Sequence, residues 1–163
     1  MSLTRKRPSP LLRAFLRAPI WLYRWHLGWL LGERFLMLTH TGRKSGLPRH
    51  TVIEVVTSDK STGAYFVTAA WGEKADWYLN IRKNPNVLVQ VRNRKFDAHA
   101  EQLSVPDAEA RLWEYAQRHP ATLEELTIVM LGERLSPTRE TCHRLAEHAP
   151  VIGLIPVKPP HAS

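Results

Sequence analysis

The residue types best suited to chemistry lie in one stretch, Leu38-Thr39-His40-Thr41-Gly42-Arg43-Lys44-Ser45-Gly46-Leu47-Pro48-Arg49-His50-Thr51. Gly42 and Gly46 bracket Arg43, Lys44 and Ser45, and Arg49 follows on the far side of the turn. Glycine lets a backbone take unusual dihedrals and approach a ligand closely. Successive amides in such a turn form a concave anion nest. Arginine adds a planar fork of donors, lysine a point charge and serine a neutral hydroxyl. Each charge-assisted hydrogen bond contributes roughly 1.5–3 kcal/mol, so three together raise anion affinity by orders of magnitude. A phosphate site needs this composition. It is not a Walker loop, in which glycine directly precedes the lysine and a helix follows. Here Arg43 precedes Lys44, and Pro48 leads into a β-rich run. A solvated hairpin turn has the same composition, so the surrounding sequence must decide between them.

A second segment, Val67 to Pro85, supplies that context. Ala69 and Ala70 at the end of a strand leave flat room for a planar ring. The turn at Gly72 and the helix start after it aim amides into that space, and Trp71, Trp77 and Tyr78 are placed to wall it. The plainer reading is that Trp77 and Tyr78 fasten a short helix to the core.

The elements that would position these residues follow from periodicity. Strand character marks 35–41, 49–57, 64–70, 87–92, 95–103 and 151–157, with alternation clear in Val87-Leu88-Val89-Gln90-Val91-Arg92. Ser58 to Gly63 and Asn93-Arg94 read as hairpin connections, with Asn93 suited to a positive φ. Helices are predicted over 76–83, stopped by Asn84-Pro85, and over 106–118, 120–131 and 137–148. Before them, residues 1–8 form a basic tail, and 9–31 read as a helix broken near Pro19. There Trp21, Trp25 and Trp29 form one stripe, with Arg13, Arg17 and Arg24 interspersed. A membrane-spanning reading fails because those arginines interrupt the apolar run. The pattern predicts an α+β fold, one domain over 9–158: an antiparallel barrel with an N-terminal helix and C-terminal helices packed outside.

Composition narrows the function classes. A chain of 163 residues with 44% hydrophobic content can bury one proper core. One cysteine, Cys142, excludes an internal disulfide and a cysteine-rich metal site, and fits a reducing cytoplasm. No cleavable signal peptide is expected. The net charge of +8 is concentrated at the N-terminal end, which suits an anionic small molecule or membrane surface. Nucleic acid is not the expected partner, since no recognition motif accompanies the charge. Nor is a metal: His143 and His148 are five apart, and no cysteine or carboxylate stands convincingly beside His40 and His50.

Taken in order, LTHTGRKSGLPRHT at 38–51 and FVTAAWGEKADWYLNIRKNPNVLVQV at 66–91 resemble the deazaflavin-dependent nitroreductases and quinone reductases. The likeness runs from Leu31 to Leu103 and continues weakly to Leu154. It implies a split antiparallel β-barrel similar to the FMN-binding barrels. It also implies coenzyme F420, an 8-hydroxy-5-deazaflavin with a phosphate and an oligoglutamate tail. On the matching positions, Arg43, Lys44, Ser45 and Arg49, between and after Gly42 and Gly46, contact the phosphate and tail. Ala69, Ala70, Trp71, Gly72 and Lys74 line the ring, with Trp77 behind it. The sequence departs from many relatives at Thr68–Trp71, where an Ala-Ser stretch and a Gly-Gly pair are usual. The implied reaction is hydride transfer to a quinone, nitroaromatic or similar small-molecule acceptor, with Tyr65, Tyr78, His50 or solvent supplying a proton. FMN or FAD on the same barrel stays open as the cofactor. So do a non-catalytic cofactor or lipid carrier, peripheral contact of the N-terminal helix with the inner face of the membrane, and a homodimer.

Overall fold

Strand alternation and helix spacing are enough to generate most of the architecture. A computed structural model describes residues 32–69 and 72–157. The expected basic tail and N-terminal helix, and Ala70 and Trp71, lie outside the described residues. Among the described residues six strands form: β1 (Phe35–Thr41), β2 (Pro48–Asp59), β3 (Ala64–Thr68), β4 (Asn86–Val91), β5 (Arg94–Gln102) and β6 (Val151–Pro156). All pairings are antiparallel, and the strands close in the order β1-β2-β3-β6-β5-β4, with β4 returning to β1. Closure leaves no edge to pair with another chain. The expected α+β class and antiparallel barrel are both present.

Period-two alternation sorts side chains between two cores. Leu36, Leu38, Tyr65, Val67, Val89 and Leu154 fill the barrel. Their neighbours Phe66 and Val151 face outward, where helices α2 (Val105–Arg118), α3 (Pro120–Leu131) and α4 (Arg139–His148) cover them with Leu112, Leu123, Cys142 and Leu145. Each fully buried side chain of this size contributes roughly 1.5–3 kcal/mol. A fourth helix, α1 (Asp76–Lys83), follows a single 3₁₀ turn at Gly72–Lys74. It lays Tyr78 and Ile81 against the barrel interior.

Side-chain caps fix two helix starts. Ser104 Oγ accepts from the Asp107 amide at the head of α2. Thr138 Oγ1 accepts from Thr141 N, so α4 begins at Arg139 and not at Pro137. Strand β3 ends at Thr68, two residues short of expectation: Ala69 N still donates to Pro150 O, its partner in the β3–β6 register, but Pro150 has no N–H to return, so the ladder closes there. Strand β2 runs on to Asp59, with a register irregularity between Val55 and Thr57. In the β4–β5 hairpin the positive φ falls on Arg92, at 52°, and not on Asn93. The Val91–Arg94 pairing sets the loop at Arg92-Asn93, one residue earlier than the sequence suggested.

Register gives the barrel two distinct ends. One carries the β1–β2 loop, the end of β3, the start of β4 and helix α1. The other carries the turns after Asp59 and Val91. Among the described residues no helix is long and apolar enough to cross a membrane.

Candidate functional site

The basic loop is a tight turn built on its two glycines. Gly42 N donates to Leu47 O, and Gly46 N to Gly42 O, both at 2.8 Å. Gly46 takes φ 67°, in the left-handed region that glycine occupies without penalty. A Cβ at Gly42 would stand 2.6 Å from Ser45 Oγ and 3.3 Å from Leu47 O, so the turn closes over this residue. Ser45 Oγ accepts from Leu47 N at 3.2 Å, which leaves its own proton available to a ligand. Among the described residues the amides of Lys44 and Ser45 find no acceptor, and both side chains are exposed, as is that of Arg49.

Helix α1 fixes the loop from one side. Asp76, Asn80 and Lys83 recur at i, i+4 and i+7, one stripe of a helix. Asn80 Oδ1 accepts from Arg43 N at 3.1 Å and from Arg43 Nη1 at 2.9 Å. Arg43 Nη1 also reaches Asp76 O at 3.4 Å, and Nη2 reaches Asp76 Oδ1 at 3.1 Å. Lys83 Nζ donates to Arg43 O at 2.8 Å. The Arg43 guanidinium is therefore turned into the protein. An open hollow of ≈ 320 Å³ lies beside it, lined by Thr41, Gly42, Arg43, Gly46, Lys83 and Asn84.

The amide of Asn80 also reaches inward. Its Nδ2 lies 3.0 Å from His40 Nδ1, and both side chains are buried. Two donors already occupy Oδ1, so Nδ2 must be the group facing His40. His40 then accepts at Nδ1 and carries its proton on Nε2, the neutral form. Burial first, then the positive surroundings of His50 and Arg49, push its pKa down to about 4. Sequence reasoning missed Asn80 and Lys83, although their spacing from Asp76 was available. His40 and His50 sit on paired strands but on opposite faces. His50 is exposed, with Nδ1 2.9 Å from Thr39 Oγ1. Among the described residues no group of three His, Cys, Asp or Glu is placed to hold a metal ion.

The second segment folds beside this loop. Ala69 is fully buried, its carbonyl accepting from Gly72 N at 2.7 Å, and Gly72 is buried at φ 70°. Lys74 is exposed, and half-buried Trp77 meets Tyr78 edge-on at 6.4 Å. The three residues expected to donate a proton are not brought together. Tyr78 Oη is bound to Gln102 Oε1 at 2.8 Å beneath α1. Tyr65 is buried against Phe96, towards the end of the barrel opposite the basic loop. Burial raises the pKa of both phenols.

The model of the F420H(2)-dependent quinone reductase family matches residues 17–128 of this chain, more than half of it. The chain belongs to that family. F420H(2)-dependent quinone reductases from two strains of Mycobacterium tuberculosis are each 31% identical over 90 residues, covering 53% of this chain and 58% of theirs. The chain thus matches less than two thirds of the length of these curated relatives. A solved F420-H2 dependent reductase (FDR-A) superimposes with a TM-score of 0.52 at 24% identity, over 76% of this chain and 95% of that one. A structure described as a domain-swapped dimer gives 0.53 at 22%, over 84% and 99%. These two likenesses establish the fold. The region matched to the quinone reductase family contains the basic loop, α1 and five of the six strands, while α4 and β6 lie beyond it.

Proposed function

We propose that this chain holds coenzyme F420 at the β1–β2 loop and reduces a quinone, nitroaromatic or similar electrophile with it. The observation that carries this reading is the pair of amides at Lys44 and Ser45 that find no acceptor among the described residues, with the exposed cations Lys44 on the turn and Arg49 on the strand that follows it. That donor set fits a phosphate and an acidic tail: amides, a hydroxyl and cations, with no carboxylate among the residues lining the hollow. When bound, the reduced deazaflavin supplies a hydride.

The protein's share is position and charge. Gly42 and Gly46 shape the turn, while Lys44, Ser45 and Arg49 hold the anionic groups. Arg43 braces the loop on α1. Ala69, Gly72, Lys74 and Trp77, with Ala70 and Trp71 from the sequence, form the ring side of the site. His50 or solvent delivers the proton, since the hydroxyl of Tyr78 is engaged and Tyr65 is remote. Residues 9–158 act as one cofactor-binding domain. Contact of residues 9–31 with the inner membrane face extends the proposal, and is read by liposome sedimentation with and without residues 1–32. A homodimer is a further part of it, read by light scattering.

The decisive experiment titrates the protein against F420, FMN and FAD by fluorescence, then follows oxidation of reduced F420 by a soluble naphthoquinone. Binding of F420 that drops at least tenfold in Lys44→Ala with Arg49→Ala supports the reading. Tighter binding of FMN or FAD, or turnover indifferent to that double variant, overturns it.

A further inference from the structure

Every polar group of residue 43 is held by α1: its amide by Asn80, its carbonyl by Lys83, its guanidinium by Asn80 and Asp76. The amides of the next two residues find no acceptor among the described residues. A bound residue 43 therefore sets the direction in which the amides of Lys44 and Ser45 point. Of its three anchors, Asp76 is largely exposed, and an ion pair in water holds little. Lys83 is exposed as well. Asn80 is 5% exposed and has partners on both sides of its amide. Its orientation is not interchangeable. Two donors from Arg43 require oxygen on one side, and the accepting Nδ1 of His40 requires nitrogen on the other.

We infer that Asn80 is a positioning residue for the anion site: it holds Arg43 so that the Lys44 and Ser45 amides face the ligand, and His40 fixes its amide from behind. This rests on the proposed binding of F420 at the loop. Asn80 touches no ligand in this scheme. It acts through Arg43, which makes the effects of the two residues inseparable.

The test uses the full chain and F420 binding by fluorescence for wild type, Asn80→Ala, Arg43→Met and the double variant. Each single change is expected to weaken binding about tenfold, and the pair together about tenfold as well, not a hundredfold, because both release the same loop. Losses that multiply, or an Asn80→Ala protein that binds like wild type, overturn the inference while leaving the cofactor reading intact. A wild-type protein that does not bind F420 removes both.

The isosteric Asn80→Asp guards against a variant that fails to fold. One carboxylate oxygen still accepts from Arg43, but the other faces His40 Nδ1 as an acceptor, so the imidazole must present an N–H there, by changing tautomer or by taking a proton, and the new negative charge beside it favours the charged form. The charged or titratable groups around His40 are His50, Arg49 and Asp76. The expected NMR signature is a His40 titration moved at least one pH unit upward in Asn80→Asp, with F420 binding nearer to wild type than in Asn80→Ala. An unmoved His40 titration overturns the inference.

Discussion

Arg43 and Asp76 meet at 3.1 Å, Nη2 to Oδ1, with the aspartate side chain 86% exposed and the arginine side chain 27% exposed. The pair bridges a turn and a helix, yet water screens it. Asp76→Asn is expected to cost less than about 1 kcal/mol in urea unfolding, and less still at high salt. Asn80→Ala is expected to cost about 2–3 kcal/mol, because it strips acceptors from a partly buried guanidinium and a backbone amide. Equal losses for the two variants would contradict this ranking.

Gly46 sits at φ 67°, with open space where a Cβ would go. The penalty for Gly46→Ala is thus conformational, about 1–2 kcal/mol, with no clash to add. Urea midpoints give the stability change, and F420 titration should show weaker binding, since the Gly46–Gly42 bond closes the turn.

His40 makes stability depend on pH with a definite sign. Its folded pKa of about 4 lies below the ordinary value of 6.5, so the unfolded chain binds more protons between them. The stabilisation from a neutral His40 is complete above about pH 6.5 and is lost progressively as pH falls towards 4. Melting temperatures of wild type and His40→Gln, measured from pH 7.5 to 4, should show the steeper decline in wild type. Parallel curves would sink the assignment.

Tyr65 and Tyr78 should behave as structural residues. Tyr78→Phe loses the bond to Gln102 and is expected to cost about 1 kcal/mol. Tyr65→Phe should leave the turnover number for quinone within about twofold, because its ring lies towards the far end of the barrel and packs on Phe96. A tenfold fall in that rate for Tyr65→Phe would place the chemistry elsewhere.

Cys142 is fully buried between α4 and its neighbours, and burial, reinforced by Glu109, pushes its thiol up to about 11. The thiolate is the reactive form. A disulfide-exchange reagent at pH 8 should therefore label the native protein far more slowly than the urea-unfolded chain.

Local signals carried much of the fold. Strand β1 and helices α1 and α3 occupy the ranges their periodicity predicted, and the remaining strands agree to within about two residues at most ends. Errors gathered where a distant partner intervened. The register partner of Ala69 is Pro150, 81 residues away in the chain and without an N–H to return, and the turn strain settled on Arg92 despite the adjacent asparagine.

For the site, glycine placement and charge in the 42–49 loop were enough to mark an anion-binding turn, because those properties belong to individual residues and their near neighbours. Which cations the loop leaves to a ligand was another matter. Arg43 reads as a ligand in the chain, but folding presents it to Asp76 and Asn80, and brings Lys83 to its carbonyl. Those contacts span 33 to 40 residues and exist only once β1 is paired and α1 is seated on the barrel end. Short-range chemistry is written along the chain. The direction in which a side chain points is decided by what the closed barrel sets opposite it.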